Sequence, residues 1–477
     1  MRHDTMYERH APPDAALDAA LADTRLGAYW LDDAAPQRVR RPALSGERTT
    51  DLAIIGGGFT GLWTALHAKR RDPDRRVMIL EARRVAWAAS GRNGGWIDYS
   101  LTHGEENGLA RWPDEFETLQ RLGYDNLDGY EHDLAEHGID ADFARVGALH
   151  VAVEAHQVPW LSELETREQT TLDAEAARAR INAPGILGAI HETGRMVATA
   201  HPAKLAYGLA AAAERLGVEI LERSRVRGLD TTSPGEVVLR LDDGRVRAHQ
   251  VVLATNAFPA LLRRNRRMTV PVYDYAIMTE PLPTDVRAAI GWQGREAVGD
   301  LSSLFHYSQI TPEGRILWGG YDAVYIPGGR IRRAHEDDPA LHRKLVSHLY
   351  AFLPQLAEAG VRITHRWAGV IDTSTRFAVF TGLAKQGRIA YAAGYTGLGV
   401  GTARFAAEVM LDRLAGLTTE RTELRMMRTR GVPFPPEPAA TIGIGLSRWS
   451  MAAADHHEGR RGAFLRAMDA LGLGFDS

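Results

Sequence analysis

The chain has 477 residues, 45% of them apolar and 25% charged, with a formal net charge of −3 and no cysteine. That length suggests two connected domains, and the composition is that of an ordinary globular protein. The near-neutral charge gives no electrostatic case for nucleic acid, and the missing cysteines exclude disulfides, thiolate metal sites and thiol nucleophiles.

The positive charge is nearly all arginine: lysine occurs only at positions 69, 204, 344 and 385. Arg2, His3, Asp4, Glu8 and Arg9 interrupt the N-terminus. No stretch approaches ~18 uninterrupted apolar residues, so neither a signal peptide nor a membrane span is expected. With the absent cysteines this gives a cytoplasmic enzyme, and no metal site is expected.

Residues 1–50 are polar and punctuated by proline, and are expected to wrap the body as an arm. Asp51-Leu-Ala-Ile-Ile is a short buried-strand pattern that runs into Gly56-Gly-Gly-Phe-Thr-Gly61 and then an amphipathic helix. Gly56, Gly58 and Gly61 satisfy G-x-G-x-x-G: the first makes the tight turn, the second admits a pyrophosphate, and the third lets helix and strand pack closely. The helix start offers free N–H groups to the phosphates. A second strand, Val77-Met-Ile-Leu80, ends in Glu81, twenty residues after Gly61. A carboxylate there accepts from both ribose hydroxyls and repels a 2′-phosphate, against NADP. A second small-residue loop follows, Ala86 to Gly95; NAD does not need it, but it suits a flavin lying across the domain.

Further along, 112–138 has helical periodicity through Phe116, Leu119, Leu122, Leu127, Tyr130 and Leu134. Strands are expected at 143–155, a helix at 159–166, and a helix opened by His201-Pro202. A strand-rich stretch to Val252 follows, then strands over 266–330, a helix at 338–352, strand 389–393, a glycine-rich turn and a helix over 402–414. The fold class is α/β: a Rossmann-type FAD-binding domain with an inserted mixed-sheet (α+β) substrate domain. Residues 51–111, 195–265 and 366–416 make the first, 112–194 and 266–365 the second, and 417–477 a linker and helical tail with Phe464, Leu465, Met468 and Leu471 on one side.

The run AWAASGRNGG after Glu81 resembles the G-W-G-A-S-G-R-N-G-G run of the glycine/D-amino-acid oxidase family of FAD flavoproteins, with Ala86 in place of the first glycine. HPAKLAYGLAAAAERLGVEI, VVLATNAFPALL, Val270-Pro271 through Thr279-Glu-Pro-Leu282 and Tyr391-Ala-Ala-Gly-Tyr-Thr-Gly-Leu-Gly-Val400 carry the likeness over about 50–416, nearest to the bacterial gamma-glutamylputrescine oxidoreductase-like branch. The resemblance implies noncovalent FAD and oxidation of a C–N bond in an amine or amino-acid-like small molecule. Gly56, Gly58, Phe59, Thr60, Gly61, Glu81, Ala82 and Arg83 are the expected cofactor contacts of the first unit. Ala89, Ser90, Arg92, Asn93, Gly94 and Gly95 come from the second loop, and Val226, Ala254 and Thr255 from the returning strands. Gly394, Gly397, Leu398, Gly399 and Val400 complete the set from the last turn, where a helix start can stabilise negative charge on the reduced ring.

For the substrate, Tyr273, Tyr275, His306, Tyr307, Trp318 and Tyr321, with Tyr395, are the expected walls of an aromatic pocket, since sheet alternation can gather several on one face. Gln309 stands about where relatives place an arginine that holds a substrate carboxylate, which argues against an α-amino acid. The stretch TSTRFAVFTG replaces the family's D-G-x-P-x-I-G, so that loop is expected to differ. No lysine for oxygen activation occurs between Lys204 and Lys344, and the context for a covalent link at His103 is absent. An NAD(P)H-dependent monooxygenase and a non-catalytic flavin-binding protein are the alternatives. Neither the substrate, the electron acceptor nor the oligomeric state is legible.

Purified protein is therefore expected to be yellow and to release intact FAD on denaturation. Colourless protein that cannot be reconstituted with FAD, yet binds NAD, would contradict the reading.

Overall fold

A computed structural model describes residues 2–166 and 168–474. In the strand Gly46–Ile55, Leu52, Ala53 and Ile54 are fully buried. Burial of consecutive residues is the mark of a parallel strand covered on both faces. The strand pairs in parallel with Val77–Leu80 on one side and Gly244–Leu253 on the other. Glu219–Leu221 extends the first side. The far edge of Gly244–Leu253 is shared, its beginning antiparallel to Val237–Leu241 and its last three residues parallel to Ile389–Ala393. Helices Phe59–Arg71, Pro202–Arg215 and Gly399–Leu414 cover one face through Leu62, Leu209 and Val409, and Val226, Val237 and Leu239 cover the other.

A second, larger sheet is centred on Thr269–Thr279, which pairs antiparallel with Ile363–Ser374 and with Ile316–Gly320. Beyond these follow His306–Ile310, Ala297–Asp300, Ala148–Ala152, Gly188–Glu192 and Gln169–Asp173. Alternation gives it two unlike faces. Ile277, Trp318 and Val298 pack under the helix Pro339–Phe352. Ala276, Met278, Leu317 and Trp367 face the nucleotide layer and join its core. The strand Ile363–Ser374 runs across the sequence boundary at 366 and stays in this sheet along its whole length.

The expected helices at 112–138 and 338–352 are Phe116–Glu136 and Pro339–Phe352, while 143–155 holds the strand Ala148–Ala152. The last nucleotide helix starts at Gly399, not Thr402; its second glycine, Gly401, packs where a Cβ would lie 2.7 Å from Asp98 O. The N-terminal arm is integrated into the body. Met6, Tyr7 and Trp30 are buried, and Arg25–Leu26 pairs with His365–Arg366. In the tail, Leu465 is buried and Leu471 is 72% exposed, so that helix docks by a narrower stripe than its sequence suggests. Among the described residues no helix is long and apolar enough to cross a membrane.

Two helices of the nucleotide layer, Phe59–Arg71 and Gly399–Leu414, are tied by ions to each other and to the helix Phe116–Glu136. Glu408 lies 2.6 Å from His67 Nδ1 and 2.6 Å from Arg71, and Asp412, one turn on, meets Arg71 and Arg421. Asp133 joins the helix Phe116–Glu136 to Arg70 and Arg404. Burial opposes the charge on Glu408, but His67 and the arginines hold its carboxyl far below the ordinary range. A buried group whose partners remain is costly to remove, so Glu408→Ala should destabilise the fold by about 3–5 kcal/mol. Because the folded carboxyl titrates low, its contribution is complete above the unfolded value of ~4.3 and is lost as pH falls below it. Urea titrations at neutral and acid pH check both, and the wild-type advantage should shrink in acid.

Candidate active site

The buried strand ends at Ile55, and Gly56 turns the chain at φ +116°. A Cβ on Gly61 would collide with Gly56 O, which lets the helix start lie directly on the strand end. The helix N-cap is Gly58, which has no side chain to close the first turn, and Ser90 Oγ accepts from Phe59 N at 3.0 Å. Ala254, at the end of the neighbouring strand, donates to Ile55 O, and its own carbonyl crowds Gly56. Glu81 is 7% exposed, with Oε2 accepting from Gly57 N at 2.8 Å and Oε1 from Arg83 N at 2.7 Å. Burial nonetheless pushes its carboxyl up. Arg83 lies over the Trp87 ring at 4.5 Å.

The second loop is held from inside. Asn93 Nδ2 donates to Ala89 O and Ser90 O, and its Oδ1 accepts from Gly95 N. Trp30 and Trp367 donate to the carbonyls of Asn93 and Arg92. The Arg92 side chain, expected at the cofactor, is engaged with Glu336 at 2.7 Å and with Trp87 O and Ala368 O. Ala86 takes φ +65°, which accounts for glycine in the run it resembles.

The last turn is organised by a residue that sequence reasoning did not single out for this role. Asp372, 1% exposed, accepts from Gly394 N at 2.6 Å and Tyr395 N at 3.2 Å, and burial raises its pKa to about 7. Thr396 and Gly397 follow at φ +50° and +97°, and the helix then starts with Leu398 as its N-cap. The His103 ring sits close by, 3.9 Å from where a Gly397 Cβ would be, and burial lowers its pKa to about 4. In the departing stretch TSTRFAVFTG, buried Arg376 donates to Ala378 O, Val379 O, Met426 O and Thr429 O, which binds the C-terminal segment to the turn's support.

These three turns line one continuous cavity of about 2820 Å³. Val226, Thr255, Ala82 and Val400 also reach it, while Gly61, Gly95 and Gly394 stand just behind its wall. The expected aromatic pocket is only partly there. Tyr307 faces the nucleotide layer, its ring 2.6 Å from where a Gly94 Cβ would be. Tyr273, Tyr275 and Trp318 stand on the opposite face, beneath the helix Pro339–Phe352, with the two tyrosine hydroxyls on Arg332 O and His335 O. His306, Tyr321 and Tyr395 also line the cavity, although the ring of His306 is engaged on its other side. That ring bonds Asp300 at 2.5 Å and His348 at 2.9 Å in a buried chain that includes Tyr7, and Tyr321 stacks on it. Tyr395 is buried between helices and takes the Thr60 hydroxyl at 2.7 Å. Alternation splits the group: odd-numbered Tyr273 and Tyr275 share a face with even-numbered 306 and 318 on antiparallel neighbours.

Acids join the aromatics on this wall. Asp98, Glu192 and Asp274 all line the cavity. His150 meets Glu192 at 3.1 Å, and burial together with Glu192 pushes Asp98 up. Gln309 donates to Gly94 O at 2.6 Å and is 3% exposed, so it braces the second loop and does not project into the cavity.

The profile of the family described as DAO, FAD dependent oxidoreductase, matches residues 51–413. The chain is 31% identical to gamma-glutamylputrescine oxidoreductase of Escherichia coli (strain K12) over 387 residues, 77% of this chain and 84% of that one. It is 27% identical to a probable oxidoreductase, OrdL, of Rhizobium meliloti (strain 1021), over 85% and 92% of the two chains. Among solved structures, glycine oxidase from Geobacillus kaustophilus superposes with a TM-score of 0.67 at 20% identity, over 81% of this chain and all of that one. The uncapped helix start, the glycine contacts and the buried ribose-side carboxylate fit FAD.

Gly397 and Gly399 are unlike. Only Gly397 has the left-handed φ, and a Cβ on Gly399 would come no nearer than 3.5 Å to Tyr395. Gly397→Ala should therefore strain the turn by about 1–2 kcal/mol and lower FAD retention, whereas Gly399→Ala should retain it. Flavin absorbance per protein after gel filtration measures both.

Proposed function

Because the chain belongs to the DAO family of FAD dependent oxidoreductases, we propose that its cavity receives a cationic amine with no carboxylate at the reacting carbon. The protein is an FAD-dependent oxidoreductase acting on CH–NH bonds. Bound FAD supplies a two-electron acceptor for the hydrogen of the substrate's α-carbon. In this reading Glu81 accepts from the ribose, the open helix start at Gly58 receives the pyrophosphate, and the turn Gly394–Val400 presents the second helix start to the ring.

The observation that supports an amine is a set of carboxylates carried by strands on the sheet side of the cavity, whose lining also includes arginines such as Arg332 and Arg333. Gln309, at the position of a carboxylate-holding arginine, is tied to the second loop, and Asp98, Glu192 and Asp274 line the cavity. Carboxylates attract an ammonium and repel a substrate carboxylate. The E. coli relative is itself named for an amine derived from putrescine, and the same class is proposed here. Trp96, Tyr307 and Trp367 supply apolar walls beside these acids, on the face turned to the nucleotide layer.

The neutral amine is the oxidisable form, since only a free lone pair can stabilise the iminium as the α C–H bond breaks. Flavin reduction should therefore accelerate as pH rises and the bound ammonium loses its proton. Anaerobic bleaching is measured with γ-glutamylputrescine, 1,4-diaminobutane, N-methylbutylamine, glycine, sarcosine and D-alanine. Amines should reduce the flavin faster than amino acids, with rates rising with pH. Reduction by NAD(P)H alone would move the protein to the monooxygenase reading.

A further inference from the structure

The strand Thr269–Thr279 places Asp274 on the face turned to the nucleotide layer, where it lines the cavity. Tyr307, two strands away, reclines across Gly319 and donates its hydroxyl to Asp274 Oδ2 at 2.5 Å. That posture needs the glycine: a Cβ at 319 would lie 2.5 Å from the tyrosine oxygen. The cross-strand neighbours that flank the pair on this face are also glycines, Gly369 opposite Asp274 and Gly299 opposite Tyr307. A Cβ on Gly369 would meet nothing nearer than 3.7 Å. A carboxylate and a phenol thus stand in a depression floored by backbone, beside the second loop that Tyr307 touches at Gly94.

From this geometry we infer that Asp274, oriented by Tyr307, pairs with the substrate ammonium and takes its proton. The inference rests on the amine reading above. In the step, an ammonium N–H bond breaks, its electron pair stays on nitrogen, and the proton forms the carboxyl O–H of Asp274. No electrons leave the substrate, and the neutral amine so formed is the oxidisable species. The proton passes to solvent when product leaves.

Titration is consistent with the task. Burial raises the Asp274 pKa to about 6, against the hydroxyl of Tyr307, which favours the charged form. Two charged neighbours on other elements have partners. Arg92, beyond Gly369, pairs with Glu336 at 2.7 Å, and Asp322, after Tyr321, pairs with Lys344 at 3.0 Å. Arg332 and Arg333 line the same cavity from the loop beyond. Tyr273 and Tyr275 flank Asp274 in sequence but face the other side of the sheet.

The test uses the FAD-loaded full chain and tert-butylamine, an ammonium with no α-hydrogen to lose, read by perturbation of the flavin spectrum, with benzoate as the anionic control. Asp274→Asn keeps an acceptor for Tyr307 and should hold FAD normally. It should bind tert-butylammonium about ten-fold or more weakly at pH 8, the loss of a charge-assisted contact. Wild-type affinity should rise with pH through the Asp274 titration, and the variant should lose that dependence. Tyr307→Phe withdraws a donor from the carboxylate, so the same limb should move to higher pH. Stopped-flow reduction by the best amine should follow suit, slowed in Asp274→Asn near neutrality and recovering as free amine becomes abundant. Unchanged affinity and an unchanged pH profile in Asp274→Asn, with normal wild-type bleaching, would overturn the role of Asp274 alone. Wild-type flavin that no amine bleaches would overturn the amine reading and this inference with it.

Discussion

The active site depends on one close approach: a helix start pressed onto the end of its own strand. Gly61 lies against Gly56 O, and Gly56 against the carbonyl of Ala254. Because no Cβ intervenes, the first helix can aim its uncapped end over the strand tips, where the neighbouring strands also finish. Thr60 then reaches Tyr395 in the last turn, and Phe59 N reaches Ser90 in the second loop. Segments 31 and 335 residues further along the chain are thereby brought around one helix end. Ionic ties at the other end of the same helix, from His67, Arg70 and Arg71 to Glu408 and Asp133, set the angle at which the last helix lies against it.

The nucleotide unit was legible because its determinants are local. Strand, glycines, helix, strand and Glu81 fall within about thirty residues, and each is required by the turn it makes. The second sheet was legible as strands but not as a surface. Period-2 alternation says which residues share a side of one strand, and leaves open which side meets the partner layer. That choice is settled by pairing between strands far apart in sequence. Ala276 opposite Gly319 and Tyr307 opposite Gly319 put Asp274 and Tyr307 inward and send Tyr273, Tyr275, His306 and Trp318 outward. Of the aromatic candidates, His306, Tyr307, Tyr321 and Tyr395 reach the cavity wall, while Tyr273, Tyr275 and Trp318 lie in the core beneath a helix.

The acids were invisible for a related reason. Asp98, Glu192 and Asp274 come from three distant strands, and none sits in a motif. Asp372 was passed over because a lone acid on a strand has no pattern, although two backbone donors of the last turn converge on it. Besides Gln309, the departure that carried a signal was TSTRFAVFTG. Its Arg376 is an internal cross-brace whose donors satisfy carbonyls of the C-terminal segment, and a loop with that duty cannot keep the family's pattern.

The polarity of the cavity follows from these placements. Its nucleotide end is built around helix starts and backbone N–H groups, which favour anions through their dipoles. Its substrate end carries carboxylates on a sheet, where neighbouring peptide dipoles largely cancel and the sign is set by side chains. One continuous space thus joins an end suited to a diphosphate with an end whose strands carry carboxylates. The two ends need separate machinery because carboxylates repel a diphosphate and helix starts repel an ammonium. Tyr307 occupies the join. Its ring rests on Gly94 in the cofactor-side loop, and its hydroxyl engages Asp274 on the substrate side, so one side chain touches both ends.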